Sequence, residues 1–173
     1  TMLAATSPAL LDQMIEKALS LLLAVFRSFN LVINWDVGKT ECLLKYRGAG
    51  AHGAWTARCS DGTPSISVSG GVRLHINTQY KHTGSIVTTS GSCVPAARAN
   101  ASSTMNAWSK LAHKVFGSPK IRTALKLSLA QSLLFSRLFF ATETWTRVSD
   151  GALKCLEVMH TRVVRRIAGL WNG

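Results

Sequence analysis

The sequence contains few acidic residues. Eight Asp and Glu stand against twenty Lys and Arg in 173 residues, which gives a formal net charge of +12 at pH 7. Residues 1–90 contain eight basic and five acidic side chains, whereas residues 91–173 contain twelve and three. An excess of positive charge on this scale predicts a polyanionic partner, and it predicts that partner chiefly for the second part of the chain.

The cysteines lack the spacing of a metal site. Cys42, Cys59, Cys93 and Cys155 form no CxxC pair, and no His lies near them at the spacing of a zinc ligand. We therefore interpret them as reduced thiols that are buried or incidental. Thiols of this kind are typical of an intracellular protein.

The first part of the sequence shows no evident secretory leader, and its apolar run is too short to cross a bilayer. It enters Met2–Ala5 directly, without a basic segment before the apolar residues. The run Ala18–Phe26 is too short for a membrane span and follows Asp12, Glu16 and Lys17. Since the first residue is not Met, we expect the chain to be a piece of a longer protein.

Residues 7–29 have the pattern of an amphipathic helix. Ser7 is a favourable N-cap and Pro8 suits the first turn, after Thr1–Thr6, which we interpret as the end of a strand. The apolar residues that follow are three and four positions apart, which predicts a helix packed on a core. They are Leu11, Met14, Ile15, Ala18, Leu21, Leu22, Val25, Phe26 and Phe29.

A lysine follows a tight turn in the next segment. The runs Leu31–Ile33 and Cys42–Tyr46 predict two strands, and Asn34–Gly38 predicts the turn between them. Lys39 lies just past this turn, where a lysine can meet a phosphate with little movement of the backbone. The alternative is a surface hairpin in which Lys39 is only solvated.

A loop and two further strand patterns follow. Gly48–Gly71 predicts a variable loop that contains one edge strand near Ile66. Apolar and polar residues alternate along Val72–Asn77, which is typical of a half-buried strand. The stretch Tyr80–Thr89 is broken at Gly84 and predicts a hairpin.

Beyond a linker at Gly91–Pro95 the period becomes helical. We predict helices at Ala96–Phe116, from Ser118 to Thr142, and from Ser149 onward, which together form a three-helix bundle. The second has apolar residues nearly all round, which predicts a central, buried helix. The third is expected to bury Leu153, Leu156, Val163 and Ile167.

The tryptophans divide into two groups. Trp108 and Trp145 are predicted to pack in the core. For Trp35, Trp55 and Trp171 both core packing and base stacking stay open.

Basic side chains recur through the helical part with few acidic residues nearby. As a set they favour contacts with nucleic-acid phosphates, although each taken singly is more often only a solvated charge. The set consists of Lys110, Lys114, Lys120, Arg122, Lys126 and Arg137. Arg162, Arg165 and Arg166 are a weaker case, because a basic run of this kind is commonly a solubilising face.

Several short motifs follow one another in a set order. Thr1–Ala5 precedes the long helix, and further blocks are Leu31–Asn34 with Lys39–Glu41, then Gln79–Ser85, then Lys126, Glu143–Trp145 and Arg165–Gly169. In this order they resemble the end of the reverse transcriptase of a non-LTR (LINE-type) retrotransposon. In that family a run similar to the first block directly follows the aromatic-Ala-Asp-Asp catalytic turn, and a segment similar to Gln79–Ser85 grips the primer end. Asn30 and Thr83 depart from the family pattern, which usually has Gly and Leu there.

The resemblance implies an α+β fold in two parts. Residues 1–90 would be a remnant of a reverse-transcriptase palm, made of one long helix with antiparallel strands and hairpins, and residues 91–173 a helical, three-helix thumb. The implied function of the parent protein is RNA-directed DNA synthesis. The implied partners are an RNA template, a DNA primer, a dNTP and the remaining palm and fingers of the parent protein, inside the cell and in the nucleus.

The resemblance also assigns roles to residues. Lys39 matches a lysine that approaches the phosphates of the incoming nucleotide and assists catalysis there. Tyr80, Lys81, His82 and Gly84 match the primer-grip segment, for which the alternative is an edge hairpin facing water. The implied contacts of the thumb with template–primer duplex are Lys110, Lys114, Lys120, Arg122 and Lys126.

The metal chemistry of such a polymerase is expected to lie outside this chain. Nucleotidyl transfer in the family uses Mg²⁺ ions held by paired aspartates. Asp12, Asp36 and Asp61 are the only Asp residues before the helical part, none forms a pair, and Asp36 suits a turn better than a metal. We expect the chain alone to hold no metal and to be inactive.

Two other functions stay open. The chain could be a non-catalytic basic domain that binds RNA or DNA through its helical bundle. A peripheral membrane protein with basic helices on anionic lipid is the weaker alternative, because the apolar faces are expected to be occupied by a core.

Overall fold

A computed structural model describes residues 3–59, 62–68, 71–145 and 147–170. The fold is α+β, as the sequence predicts. The chain divides into two compact units, Thr1–Tyr80 and Lys81–Gly173. The sequence predicts a palm-like part, residues 1–90, and a thumb-like part, residues 91–173. Because that division concerns the functions of the parts as well as their boundaries, it stays a prediction.

The first unit begins with helix α1, Pro8–Ser28. Ser7 is extended and its side chain accepts a hydrogen bond from the backbone nitrogen of Leu10, which confirms the predicted N-cap. No strand is assigned over residues 3–5, and Thr1 and Met2 lie outside the described residues. The predicted start of the helix is therefore confirmed, whereas the strand before it is not found in the described part.

Helix α1 buries less of its apolar face than the sequence predicts. Ile15 is buried, and Leu11, Leu19 and Leu23 are partly buried. Leu21 is 66% exposed, and Leu22, Val25 and Phe29 are exposed as well. Helical spacing alone gives no measure of how much of a face the rest of a unit can cover.

The sheet of the first unit has three strands in the order β1-β3-β2. Strand β3 pairs antiparallel with β2, where Ile66 lies opposite Leu74, and parallel with β1, where Cys42 lies opposite Ile76. The predicted edge strand and half-buried strand are thus confirmed. The predicted hairpin before them is wrong, because Leu31–Ile33 is not in a strand. The strands are β1 (Glu41–Leu43), β2 (Ser65–Val68) and β3 (Val72–Asn77).

A short helix, α2 (Ala51–Arg58), lies where the sequence predicts a loop. Arg58 Nη2 forms an ion pair of 3.0 Å with Asp12 Oδ2 on α1, and the hydroxyl of Tyr46 donates to Asp12 Oδ1 at 2.5 Å. Trp55 packs against the core of this unit. These contacts with distant parts of the chain fix a helix whose own sequence has little apolar periodicity.

Trp35 and the strands complete that core. The buried residues are Ile15, Leu44, Ile66, Val68, Leu74 and Ile76, with Trp35 and Trp55 partly buried against them. Both tryptophans, for which the sequence left two roles open, therefore pack on the core.

The division between the units falls within strand β4, Gln79–His82. Strand β5, Ser85–Thr88, pairs with β4 and confirms the predicted hairpin. The two residues between the strands, Thr83 and Gly84, both have positive φ, at 45° and 92°. Positive φ at both positions is the pattern of a type I′ turn, which suits Gly84 but strains the β-branched Thr83.

Three helical stretches form most of the rest of the second unit: α3, the α4–α5 segment and α6. Shorter π-helical and 3-10 turns interrupt or follow them. Helix α3 ends in a π-helical turn, and helix α4 continues through another π-helical turn into α5. Ser118 and Pro119 do not start the second helix as predicted, since α4 begins at Thr123. The segments are α3 (Val94–Leu111), the π turn Ala112–Phe116, α4 (Thr123–Ala130), the π turn Gln131–Phe135, α5 (Ser136–Leu138), a 3-10 turn (Thr142–Thr144) and α6 (Asp150–Ile167).

The core of the second unit lies between α3, the α4–α5 segment and α6. Trp108 stacks on Phe116 with ring centroids 5.4 Å apart, and Trp145 packs against the same core, which confirms both predictions. Helix α6 starts after its N-cap Ser149 and buries Leu156, Val163 and Ile167 as predicted. The expectation for Leu153 is wrong, because this side chain is 52% exposed.

The α4–α5 segment is buried along one row only. Ala130, Leu134 and Leu138 are buried at four-residue spacing, but Leu125 and Leu133 are exposed, so the predicted burial on all sides is wrong. Among the described residues one segment, Thr123–Thr144, passes a test of length and hydropathy for a membrane span, which alone is weak evidence. Its continuous helix stops at Leu138, and it contains Lys126 and Arg137.

Candidate nucleic-acid interface

Lys39 lies on an exposed turn that is held by its own side chains. The backbone nitrogen of Asp36 donates to Asn34 Oδ1 at 2.9 Å, and that of Lys39 donates to the carbonyl oxygen of Asp36 at 3.0 Å. The backbone nitrogen of Gly38, which has φ of 82°, donates to Glu41 Oε1 at 2.7 Å. These bonds define the backbone at Lys39 and leave its ammonium group in solvent.

Tyr80 is attached to the same turn. Its hydroxyl donates to the carbonyl oxygen of Lys39 at 3.3 Å. A residue predicted for the primer grip and the residue predicted for the nucleotide phosphates are therefore in direct contact within the first unit. The bond uses the backbone of Lys39, so the charged end of its side chain stays available.

The described residues of the first unit contain no cluster of ligands for Mg²⁺. Among the described residues no three His, Cys, Asp or Glu side chains come together as a metal-binding group. Of the two carboxylates at the turn, Glu41 accepts from Gly38, and Asp36 lies within the turn. A two-metal centre needs several carboxylates that converge, and the described residues contain no such group.

The cysteine side chains are buried or partly buried. All four cysteines are free, with Cys93 buried and its Sγ donating to the carbonyl oxygen of Arg147. Burial raises the pKa of Cys42. A raised pKa lowers the thiolate fraction at neutral pH and with it the nucleophilicity.

The second unit contains an open cleft of about 500 Å³ between the hairpin, α3 and the end of α5. Two cations, Lys81 from the hairpin and Arg137 from α5, line it. Phe140 forms part of its wall, and hydroxyl groups of Ser103 and Ser136 are also present. The remaining lining residues are Gly84, Ile86, Ala99 and Asn100.

Gly84 borders this cleft at very short range from an aromatic ring. A Cβ added to Gly84 would lie 3.0 Å from Cε1 of Phe140, which is tighter than nine in ten real Cβ contacts. The positive φ of Gly84 also disfavours any side chain. The turn therefore favours glycine here, and a side chain would in addition require a small shift of the Phe140 ring.

Asn100, one of the residues that line the cleft, fixes the backbone at the end of α5. Its buried amide nitrogen donates to the carbonyl oxygens of Leu138 at 3.3 Å and Phe140 at 2.9 Å. Both carbonyls lie at the end of the helix, where no intrahelical donor reaches them. Asn100 thus satisfies two orphan acceptors and fixes the backbone that carries Phe140.

A second cleft of about 250 Å³ adjoins the first. It is lined by Lys110 and Leu111 of α3 together with Leu133 and Arg137, and Arg137 borders both clefts. We call the two clefts together the basic groove, with Lys81, Arg137 and Lys110 as its cations. None of the described residues that line the groove is acidic. It follows α3 from Ala99 to Lys110, which corresponds to about 16 Å along a helix.

Comparisons with known proteins give no further information about the groove. No protein-family model matches the chain, and neither a curated protein nor a solved structure matches it. The likeness to reverse transcriptases therefore rests on the order of the sequence motifs.

The structure brings together only part of the predicted site. Lys81, Gly84 and Lys110 line the groove with Arg137. Other predicted residues are exposed but do not line it, and they are His82 on β4, Lys114 on the π turn, and Lys120 and Arg122 before α4. The role of each in binding stays a prediction.

Lys126 has surroundings unlike those of the other cations. It is only 8% exposed and belongs to the buried row that continues through Ala130, Leu134 and Leu138. A lysine in this position can bury its aliphatic stem and direct its ammonium group outward. Little of its side chain is left to meet a phosphate.

Two residues of the groove were not predicted from the sequence. Phe140 belongs to no recognised motif, although two consecutive phenylalanines before Ala141 at the end of a helix cannot both enter the same core face. Asn100 gives a weaker signal, because an Asn inside a helix commonly faces solvent. Its two acceptors come from residues 38 and 40 positions later, which no local pattern indicates.

Proposed function

We propose that the chain is part of a reverse transcriptase and that its basic groove holds the phosphate backbone of a template–primer duplex. The observation that carries this proposal is the meeting of Lys81 and Gly84 with Arg137 and Lys110 in one groove. The first two come from the motif that resembles a primer grip, and the other two from the helices that resemble a thumb.

The groove has the chemistry of a backbone site. Three cations line it without a carboxylate among its described residues, so they can neutralise phosphates. Contacts with phosphate carry no sequence information, and their contribution to affinity falls steeply with salt. The proposed contribution of this unit is therefore to hold and orient a duplex, whatever its sequence.

Lys39 has a separate role in this proposal. Its exposed ammonium group, on a turn tied to Tyr80, would meet the phosphates of the incoming nucleotide. The Mg²⁺ ions that such an enzyme needs would be held by aspartates of another part of the parent protein. Primer extension by this chain alone is not expected.

A non-catalytic RNA- or DNA-binding domain is the second candidate. It is favoured by the fact that all lining residues of the basic groove lie within Lys81–Gly173. The coding sequence directly ahead of Thr1 separates the two candidates. An aromatic-Ala-Asp-Asp tetrad there supports the polymerase, and an intact reading frame without it rules the polymerase out.

Salt-dependent binding tests the groove itself. Affinity of the 173-residue chain for a blunt RNA–DNA hybrid is measured by fluorescence anisotropy at several salt concentrations. Lys81→Gln, Arg137→Gln and Lys110→Gln should each weaken binding and reduce the slope of log K against log salt by about 0.9. Lys154→Gln on the exposed side of α6 serves as the control and should change neither. Equal effects of all four substitutions would show that only net charge matters and would overturn the groove assignment.

A further inference from the structure

An aromatic ring lies beside the cations of the larger cleft. Phe140 is 46% exposed and lines the cleft together with Lys81 and Arg137. Its neighbour Phe139 is exposed to a similar degree, at 42%, but packs against the rings of Phe135 and His160 and does not line the cleft. Contact with a duplex backbone explains the two cations and leaves the aromatic wall unexplained.

The fold holds this ring in place. The Asn100 amide fixes the carbonyl of Phe140, and Gly84 approaches the ring at its Cε1 and Cζ atoms. Because Gly84 has no Cβ, the hairpin reaches the edge of the ring without a side chain that would fill the cleft. The aromatic wall is thus positioned from both sides.

An unpaired nucleotide matches the three kinds of group that line this cleft. Its base has an aromatic face for Phe140, its phosphate is an anion for Lys81 and Arg137, and its polar edge can reach the hydroxyl groups of Ser103 or Ser136. Stacking on aromatic side chains combined with basic grooves is how proteins bind single strands without sequence preference. A volume of about 500 Å³ falls within the range of small-ligand sites.

We propose that the larger cleft accepts one unpaired nucleotide at the end of the bound duplex, with its base against Phe140 and its phosphate between Lys81 and Arg137. This inference rests on the proposed duplex binding by the basic groove. The base on Phe140 gives the groove a preference for a duplex end that carries an unpaired nucleotide over a blunt end. In a blunt hybrid every base is paired, so the ring has no partner.

The test compares three hybrids of the same sequence in anisotropy measurements with the 173-residue chain. One is blunt, one has a single unpaired nucleotide at a 3′ end, and one has an abasic residue at that position. Overhangs on the DNA strand and on the RNA strand form separate arms. The chain should bind the hybrid with the unpaired nucleotide roughly tenfold more tightly than the blunt hybrid. It should bind the abasic hybrid about as weakly as the blunt one.

Substitutions then assign the preference to the ring. Phe140→Leu should abolish the preference and Phe140→Tyr should retain it. Phe139→Leu is the matched control and should keep both the preference and the affinity for the blunt hybrid. Equal affinity of the wild type for blunt and unpaired hybrids overturns the inference, as does a preference that survives Phe140→Leu. If instead blunt-hybrid binding is absent or insensitive to Lys81→Gln and Arg137→Gln, the proposed function itself fails, and that result is distinct from the loss of end preference alone.

Discussion

The side-chain nitrogen of Asn100 lies 2.9 Å from the carbonyl oxygen of Phe140, forty residues further along the chain. The same nitrogen lies 3.3 Å from the carbonyl oxygen of Leu138. One buried amide therefore joins helix α3 to the end of α5 and fixes the backbone at the aromatic wall of the cleft. Thr104 adds a bond from its Oγ1 to the carbonyl oxygen of Asn100 at 2.8 Å.

Asn100→Ala should lower the free energy of unfolding by about 1–3 kcal/mol, because the buried carbonyl of Leu138 and the partly buried carbonyl of Phe140 lose their donor. Asn100→Asp should cost more, since a carboxylate would face the two carbonyl acceptors that the amide now satisfies. Urea denaturation measures both. Asn106→Asp, at an exposed position of the same helix, is the control and should change stability little. An Asn100→Asp variant as stable as the wild type would contradict the assigned bonds.

Thr83→Asn should stabilise the second unit by up to about 1 kcal/mol. Thr83 has φ of 45° and is followed by Gly84, so the substitution creates the Asn-Gly pair that a type I′ turn prefers. Thermal unfolding measures the effect. Thr83→Val keeps the branched Cβ and should give no gain, and a Val variant as stable as the Asn variant would argue against strain at this position.

Stability of the first unit should decline in alkali through Tyr46. Burial first and the hydrogen bond to Asp12 second raise the pKa of Tyr46 above its ordinary value of 10.0. The folded state then holds the phenolic proton more tightly than the unfolded state does. The stabilisation is complete below about pH 10 and is lost as the pH rises through the folded pKa.

Tyr46→Phe isolates this contribution. The stability difference between wild type and variant should be constant from pH 7 to about pH 9 and should narrow above about pH 10. Chemical denaturation at a series of pH values measures it. Stability curves that stay parallel up to pH 11 would show that the environment of Tyr46 does not favour its protonated form.

Leu156→Ala should cost about 2–5 kcal/mol, because Leu156 is buried in the core of the second unit. Leu153→Ala, one turn earlier on α6 and largely exposed, is the matched control and should cost less than about 1 kcal/mol. Equal losses at both positions would mean that α6 packs through a different face.

Local signals in the sequence were sufficient for several elements. The Ser7–Pro8 pair, the break at Gly84 and the helix start at Ser149 each mark a boundary through interactions within a few residues, and the structure confirms all three. Helix α2 gave no such signal, because it depends on the ion pair from Arg58 to Asp12 and on the packing of Trp55. The parallel pairing of β1 with β3 was missed for the same reason, since it joins segments more than thirty residues apart.

The candidate site shows a similar limit. Lys39 and Lys81 could be named from motifs, but the groove depends on which faces of α3 and α5 meet, and a charge pattern does not specify this. The burial of Lys126 could have been predicted from the four-residue spacing of the buried positions on this helix. Lys126 precedes Ala130 and Leu134 in a row of four-residue steps, and the charge alone suggested the surface.

The π-helical turn Gln131–Phe135 sets the rotational phase of everything that follows it on the helix. A π turn takes in one residue more than an α turn, and one residue corresponds to about 100° of rotation. If the same residues stayed α-helical through this turn, Arg137 and Phe140 would lie about 100° further round the helix and would turn out of the cleft without a change in either residue. The π geometry of this one turn therefore makes the difference between a helix that only packs and one that presents its cation and its ring together.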